Sequence, residues 1–280
     1  MFDFMLRQYV IQRLLYRLSV SAYKDQFLLK GSMLFLVWTG DLHRPTKDID
    51  LLGFGQNDAG ILQANFKTIC SLEVDDGLFF DAESIQGAQI KEGDLYQGVR
   101  VTGFAYLDKA KISFQVDIGF GDAVTPKAEL VVVPSFFDLP DPELRAYSVY
   151  TVIAEKFQAM VALGIANSRI KDFYDILTIA KIMEIDGQLL VNAVSANFVQ
   201  RKTKVDGEPL TIFGHDFMKD DNKQKQWLAF LNKNNLEKDK SFADLMSLLE
   251  KFLVPVYQAA SHNLNLTSKW DAVEWQWSVA

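Results

Sequence analysis

The apolar residues at the start of the chain recur at three- and four-residue intervals, which is the spacing of an amphipathic helix. Two more helical stretches follow in the first 75 residues, one short and one longer. Gly40 ends the short stretch, and Asn57 or Asp58 is a suitable N-cap for the longer one. The helices predicted in this part of the chain are 4–18, 33–38 and 57–71.

From about residue 78 the period of the pattern changes to two, which is typical of half-buried strands. Residues 111–118 alternate without interruption, with four apolar side chains on one face and Ser113, Gln115 and Asp117 on the other. A shorter strand with two aspartates precedes this region, and the last apolar run is predicted to be a buried strand. The predicted strands are 48–52, 99–105, 111–118 and 130–133.

A proline-rich segment, 134–142, separates this first half from a second half with a different pattern. After Tyr150 the spacing is helical throughout, and the predicted helices are 151–163, 168–183, 187–198, 215–232 and 241–253. The sequence therefore predicts an α+β fold in two domains. An α+β domain at residues 1–140 is followed by an all-helical domain at residues 141–280.

Composition restricts the function classes. At 280 residues and 49% hydrophobic the chain can form a full core, while its net charge of −7 argues against broad, sequence-independent nucleic-acid binding. A small basic patch that holds one RNA end is compatible with that charge. The single Cys70 indicates a reducing compartment, and neither a signal core nor a membrane-spanning segment is expected. We therefore expect a cytoplasmic protein with no membrane partner.

Two carboxylates in the strand 48–52 are the strongest chemical signal. Asp48 and Asp50 are two residues apart, so both point to the same side of the strand and repel each other. A divalent cation between them relieves that repulsion. A site for two metal ions needs a third acid, and Asp117, on the polar side of its strand, is the best candidate. The alternative is that Asp117 marks the solvent face of an edge strand.

The segment before these acids has the features of a phosphate site. Gly31 and Ser32 offer backbone N–H groups at the start of a helix, with no bulky side chain in the way. Lys30 and Arg44 bracket this segment and either neutralise a triphosphate or are ordinary surface charges. Asp122 is interpreted as a turn residue or helix cap rather than a metal ligand.

The second half carries a separate charged cluster. Lys156 falls close to the apolar face of its predicted helix, which is unusual for a lysine that does not face a cleft. Arg169, Asp172 and Asp175 lie beside the apolar stripe of the following helix. Without further context these charges form a salt-bridge ladder along a helix surface, and that simpler interpretation is favoured by the local sequence alone.

Taken together, these segments resemble the nucleotidyltransferase superfamily, whose signature is a Gly-Gly or Gly-Ser pair ahead of an Asp-x-Asp strand. The wider pattern is similar to one branch of it, the AbiEii/AbiGii toxin-family nucleotidyltransferases of bacterial toxin–antitoxin and abortive-infection systems. The matching segments are 27–35, 44–53, 116–122, 154–156 and 167–175.

The resemblance implies a polymerase-β-like core with a mixed sheet, followed by a helical domain that closes the nucleotide cleft. It adds Lys156 to the three aspartates as a catalytic residue. It also implies a metal site for Mg²⁺ or Mn²⁺, an NTP substrate, a co-encoded antitoxin and, in some members, tRNA as acceptor. The nucleotide-binding residues it implies are Lys30, Gly31, Ser32, Arg44, Thr46, Arg169, Lys171 and Asp172.

The leading hypothesis is metal-dependent transfer of a nucleotide from an NTP to an acceptor hydroxyl. In it, Asp48 and Asp50 hold the metal ion that binds the triphosphate, and with Asp117 they hold a second one that activates the hydroxyl. The alternative is a nucleotide-binding or partner-binding protein that kept the fold without catalysis. A labelled product from radiolabelled NTPs distinguishes the enzyme from the binder.

Overall fold

The computed structural model describes residues 2–41, 43–92 and 96–279. The chain forms two compact units. The first contains residues 1–122 and 128–147, and the second contains residues 123–127 and 148–280. Because the short segment 123–127 belongs to the second unit, the chain passes between the units more than once.

The first unit is a seven-stranded mixed sheet with helices. Its strands lie in the order β3-β4-β5-β2-β1-β7-β6. The β2/β5 and β1/β7 pairs are parallel, and the other pairs are antiparallel. The helices of this unit are α1 (Phe2–Val20), α2 (Met33–Thr39) and α3 (Ala59–Cys70), and the strands are β1 (Phe27–Lys30), β2 (Ile49–Gly53), β3 (Leu78–Glu92), β4 (Tyr96–Leu107), β5 (Ala110–Phe120), β6 (Glu129–Val132) and β7 (Glu143–Ala146).

A buried ionic cluster fixes the first helix to the rest of this unit. Arg13 Nε lies 3.0 Å from Asp76 Oδ2, and Arg17 Nη1 lies 2.6 Å from the same oxygen. All three side chains are buried. Because neither guanidinium can be deprotonated in a protein, the carboxylate between them is needed to offset their charge.

The predicted strand at 111–118 is confirmed as the middle of β5, and the apolar face proposed for it, with Phe114 and Val116, is buried. Asp58 is confirmed as the N-cap of α3, where its side chain accepts a hydrogen bond from Ile61 N–H. The strand predicted at 130–133 is present as β6 (Glu129–Val132), but the prediction that it is buried is wrong for the strand itself. It lies at the edge of the sheet, where Leu130 is 65% exposed and Val132 is 50% exposed, and only Val133, which follows it, is buried.

Three strands of the sheet were not predicted individually, β1, β3 and β7. The strand β3 begins at Leu78, where the change to a period of two was predicted without a separate strand being assigned. The strands β1 and β7 are each four residues long and too short to establish a period. The strand β7 pairs with β1 at Ala146 and Leu29, so residues that the predicted boundary at 140 assigned to the helical domain lie in the sheet.

The second unit is mainly helical, and its longest helix, Phe242–His262 (α9), contacts several of the others. It also contains a small sheet of three strands, Ile185–Asp186 (β8), Ser268–Asp271 (β9) and Gln276–Val279 (β10), in the order β10-β9-β8, so the half predicted to be all-helical has strands as well. Trp270 of that sheet is fully buried against Phe252. The elements are α4 (Val149–Leu163), α5 (Ile170–Ile182), β8 (Ile185–Asp186), α6 (Gly187–Gln200), α7 (His215–Met218), α8 (Asp221–Asn234), α9 (Phe242–His262), β9 (Ser268–Asp271) and β10 (Gln276–Val279), with short 3₁₀ turns at Lys24–Gln26, Gly164–Ala166 and Thr211–Phe213.

The helix predicted at 215–232 is two helices, α7 and α8. Asp220 separates them, because its side chain accepts hydrogen bonds from the backbone N–H groups of Asn222 and Lys223 and so begins a new helix. Among the described residues, one window, Val149–Ala166, is long and apolar enough to cross a membrane by length and composition. It consists of α4 and the turn after it, and Phe157 and Met160 of α4 are fully buried within the protein, as in a core helix.

Candidate active site

The three aspartates singled out in the sequence converge in the first unit. Asp50 on β2 and Asp117 on β5 are register partners in neighbouring parallel strands, and Asp48 immediately precedes β2. Each offers a carboxylate oxygen, and these oxygens all lie within 4.8 Å of one another. Since β5 lies between β4 and β2, Asp117 is not on an edge strand. The simpler interpretation of this residue is therefore excluded.

Gly31 lies directly against this acidic triad (Asp48, Asp50 and Asp117). A Cβ atom at position 31 would stand 2.0 Å from Asp50 Oδ2. Its backbone also has a φ of +76°, a conformation that glycine adopts without cost. The residue after β1 must therefore be glycine for Asp50 to occupy its place.

Four charged residues form one row across the sheet, with acids at its centre and a base at each end. Arg100 on β4 is the register partner of Asp117, and Lys30 on β1 is the register partner of Asp50. The row therefore runs Arg100, Asp117, Asp50, Lys30. Its net charge is zero, with both cations contributed by strands that flank the acids.

Arg100 is a site residue that the sequence reasoning missed. Its Nε donates to Asp117 Oδ1 and its Nη2 donates to Asp117 Oδ2, both at 2.8 Å. These hydrogen bonds, and the charges of Asp117, Asp48 and Asp50, raise the pKa of the Arg100 guanidinium despite its partial burial. The sequence feature that could have identified Arg100 is the two-residue turn between β4 and β5, Asp108-Lys109. If the two strands are paired residue by residue outward from this turn, Arg100 lies opposite Asp117.

Lys30 lies on β1 opposite Asp50 of the triad, and it has an ion-pair partner of its own. Its Nζ is 2.9 Å from Asp122 Oδ2, and Tyr147 Oη donates to the same oxygen at 3.1 Å. The Asp122 side chain is 3% exposed, so this ion pair is largely withdrawn from water. Asp122 is thus the counter-charge of Lys30 rather than a simple turn residue.

The remaining predicted residues of this unit lie around Asp48 and the start of α2. Thr46 is buried, and its Oγ1 is 3.0 Å from Asp48 Oδ1, so it orients that carboxylate. Ser32 is buried at the N-cap of α2, where its side chain makes no capping hydrogen bond. Arg44 is half-buried, with Nη1 3.5 Å from the carbonyl oxygen of Pro45.

In the second unit, Lys156 on α4 is surrounded by carboxylates of α5. Its Nζ is 2.9 Å from Asp172 Oδ1 and 2.8 Å from Asp175 Oδ2. Arg169 Nε contacts the other oxygen of Asp172 at 2.7 Å. Lys171 is exposed on the same helix. The structure thus joins Lys156, Arg169 and Asp172 through direct contacts.

This second cluster is not a ladder on a helix surface. The side chains of Asp172 and Asp175 are 1% and 0% exposed, and that of Lys156 is 13% exposed. Burial alone would raise the pKa of the Asp172 carboxyl, but the positive charges of Lys156 and Arg169 outweigh it and hold that pKa below its usual value. The acid is therefore kept ionised inside the unit by its two cationic neighbours.

Comparison with known proteins agrees with these features. Residues 13–251 match the family described as nucleotidyl transferase AbiEii toxin, type IV toxin–antitoxin system. JHP933 from Helicobacter pylori has a similar structure, with 15% sequence identity, a TM-score of 0.51 and 93% of each chain covered. A candidate nucleotidyltransferase from H. pylori is similar at 15% identity and a TM-score of 0.50, covering 93% of this chain and 95% of its own.

These two structures share the fold of this protein, and no curated protein matches the chain. The family match extends over most of both units and includes the acidic triad, Lys156 and Asp172. The chain therefore belongs to the AbiEii family of nucleotidyl transferase toxins of type IV toxin–antitoxin systems.

Proposed function

We propose that this nucleotidyltransferase moves a nucleotide from an NTP to an acceptor hydroxyl with the help of Mg²⁺ or Mn²⁺. The observation that carries the proposal is the convergence of Asp48, Asp50 and Asp117, whose carboxylate oxygens lie within 4.8 Å of one another. Three hard oxygen donors on two adjacent strands suit a hard divalent cation. Such a cation, when bound, offsets charge on the phosphates and lowers the pKa of the hydroxyl.

The other residues of the first unit support this chemistry by position. Gly31 leaves the space that Asp50 occupies, and Thr46 holds Asp48 in its orientation. We assign Lys30, together with Ser32 and Arg44, to the phosphate groups of the nucleotide. The ion pair with Asp122 already holds the Lys30 side chain beside the triad. Binding of a phosphate group by Lys30 would therefore not have to meet the entropic cost of ordering a flexible side chain.

In the second unit we assign Lys156, Arg169, Lys171 and Asp172 to nucleotide binding. Asp172 holds both Lys156 and Arg169, and it fixes two cations at once from a fully buried position. In this assignment the carboxylate is a positioning residue and the two cations meet the phosphates. Lys171 is exposed, and in this assignment it would only add positive charge near the phosphates.

The acceptor that suits the site best is an RNA 3′ end, with tRNA as the first candidate. A net charge of −7 gives no long-range attraction to RNA, so the contact must come from a local patch. The patch that we propose for it consists of Arg169 and Lys171 with Lys202 and Lys204. The binding of RNA should then weaken steeply with salt. The family also implies a co-encoded antitoxin, and a cytoplasmic location follows from an RNA acceptor.

The test is transfer of label from each of four α-³²P-labelled NTPs, with Mg²⁺ or Mn²⁺, to tRNA, total RNA or protein extract. Wild type should label one acceptor class with a preferred NTP, and Asp50→Asn and Asp117→Asn should abolish the product. Asp108→Asn is the matched control, because this exposed turn residue lies in the same hairpin as Asp117 and its φ of +50° is well tolerated by Asn.

Two results would contradict the proposal. One is equal labelling in EDTA and in Mg²⁺, which would remove the cation from the reaction. The other is wild-type turnover in both triad variants, which would make these acids structural.

A further inference from the structure

Both oxygens of the Asp117 carboxylate are engaged by neighbouring side chains. Arg100 donates to both of them at 2.8 Å, and Gln115 Nε2 lies 3.2 Å from Oδ1 and 3.1 Å from Oδ2, so it is shared between them. An ionised carboxylate offers about four lone-pair sites; the guanidinium uses two of them, and the amide lies against the same two oxygens. A cation that is ligated by Asp117 therefore competes with these donors for the same oxygens.

The two donors are not equal obstacles to a cation. Gln115 is neutral and its shared hydrogen bonds are long, so its displacement costs little. Arg100 carries a full charge in a fork that fits the carboxylate. Asp48 and Asp50 also attract it, so the guanidinium serves as counter-charge for all three acids.

The Arg100 side chain is exposed enough to solvent to move away from Asp117. Its side chain is 42% exposed, while that of Asp117 is 19% exposed. A long side chain at the solvent boundary can leave the carboxylate and stay hydrated, whereas a buried arginine cannot. A divalent cation beside it would repel it in that direction.

We propose that Arg100 is an internal counter-ion that competes with the divalent cation for Asp117, so that guanidinium and metal ion occupy the acidic triad alternately. This inference rests on the metal site of the proposed function. The metal-free protein keeps its three acids together because the arginine offsets their repulsion. The affinity for the cation is correspondingly lower than three carboxylates alone would give.

The experiment is isothermal titration calorimetry of the full-length, metal-free protein with MnCl₂ at low ionic strength. Arg100→Gln should bind Mn²⁺ about three- to tenfold more tightly than wild type, because it removes a partly exposed charge from the site. Arg100→Lys, which keeps the charge, should stay within about twofold of wild type. Arg145→Gln is the matched control. It removes an exposed arginine from β7 of the same sheet and should leave the affinity unchanged.

Thermal unfolding provides a second readout that does not depend on activity. In EDTA, Arg100→Gln should unfold at a lower temperature than wild type, because its three acids have lost their counter-charge. Saturating Mn²⁺ should raise its unfolding temperature by more than it raises that of wild type. Arg145→Gln should show the wild-type response in both conditions.

The outcomes separate this inference from the proposed function. If wild type binds Mn²⁺, Asp50→Asn does not, and Arg100→Gln binds equally or more weakly than wild type, the competition is refuted. Arg100 would then orient Asp117 for the metal. If neither wild type nor Arg100→Gln binds a divalent cation, the metal site itself fails. If Arg100→Gln binds Mn²⁺ and wild type does not, the competition is supported, because the arginine would then exclude the cation completely.

Discussion

Position 31 shows how a single missing side chain makes room for a carboxylate of the acidic triad. The absent Cβ is what allows Asp50 to approach the end of β1, and the positive φ would strain any other residue there. The two effects can be separated by experiment, because Gly40 has nearly the same φ, +74°, with nothing within 4 Å of its Cβ position.

Gly31→Ala should abolish nucleotide transfer, because the new methyl group and the Asp50 carboxylate cannot occupy the same space. Gly40→Ala should show only the cost of the left-handed backbone, roughly 1 kcal/mol of stability, and keep its turnover. Turnover and the free energy of unfolding, measured for both variants, check this. Equal losses of turnover in the two would mean that backbone strain, rather than the collision, is responsible.

Lys156 is the cation on which two buried acids depend, so its removal should affect both stability and binding. Lys156→Met should weaken NTP binding by about ten- to a hundredfold, the range for one lost charge-assisted contact. Asp172 and Asp175 would also lose their shared partner, which should lower the unfolding temperature. Calorimetry with a non-hydrolysable NTP and a thermal melt measure the two effects.

The control for this variant is Lys181→Met, which removes an exposed lysine from the last turn of α5. It should leave both quantities unchanged. A lower melting temperature in Lys156→Met with wild-type NTP affinity would return the cluster to a purely structural role.

At the scale of elements, the buried cluster of Arg13, Arg17 and Asp76 joins α1 to the segment before β3. Asp76→Ala leaves two buried guanidinium groups without their counter-charge. Loss of one partner of a buried ion pair typically costs about 3–5 kcal/mol. Chemical denaturation should show a loss of that size, and a loss below about 1 kcal/mol would mean that other groups or water satisfy the arginines.

Glu83→Ala is the control at this scale. It breaks the ion pair between Lys67 and Glu83, whose glutamate side chain is 88% exposed. Exposed pairs contribute at most about 1 kcal/mol, so this variant should unfold almost as wild type does. The two variants compare buried and exposed ion pairs within one unit.

The sequence predicted the elements with a clear period and missed those without one. The strand β5 and helix α1 were found because eight or more residues repeat one pattern. Four-residue strands such as β1 and β7 depend on partners far along the chain, which local spacing does not reveal. Leu130 and Val132 are apolar and yet exposed at the sheet edge, because burial is decided by position in the sheet and not by composition.

The candidate site was predictable in part, for a similar reason. Asp48 and Asp50 are only two residues apart in sequence, and Asp117 was found from the need for a third acid. The contact of Arg100 with Asp117 is a cross-strand contact, which requires the register of a hairpin to be counted from its turn. The buried state of Asp172 likewise depends on Lys156, a residue of another helix.

For the whole molecule, the buried acids set the response to pH. Burial alone would raise the pKa values of Asp172 and Asp76, but their cationic partners outweigh it and hold both pKa values below the ordinary range. A carboxyl whose pKa is lowered by folding contributes stability above its unfolded pKa of about 3.9, and that contribution is lost as the pH falls through the lower folded value.

The free energy of unfolding should therefore be steady from neutral pH down to about pH 5 as far as these two groups are concerned, and fall steeply below about pH 4. Urea denaturation at a series of pH values measures it. Asp172→Asn should show a shallower fall than wild type, since it has one titrating group fewer. A stability that stays flat to pH 3 would show that neither acid is held ionised by the fold.

The pairing of β1 with β7 has a consequence during synthesis of the chain. Leu29 lies opposite Ala146, and segment 123–127 belongs to a unit otherwise formed by residues after 147. At about 5–20 residues per second, a ribosome needs roughly 6–23 s to go from residue 29 to residue 146. During that interval all three aspartates of the acidic triad are made before the sheet that holds them can be completed. The arrangement of the three acids can therefore be completed only after residue 146 has been made, although the acids themselves are made earlier.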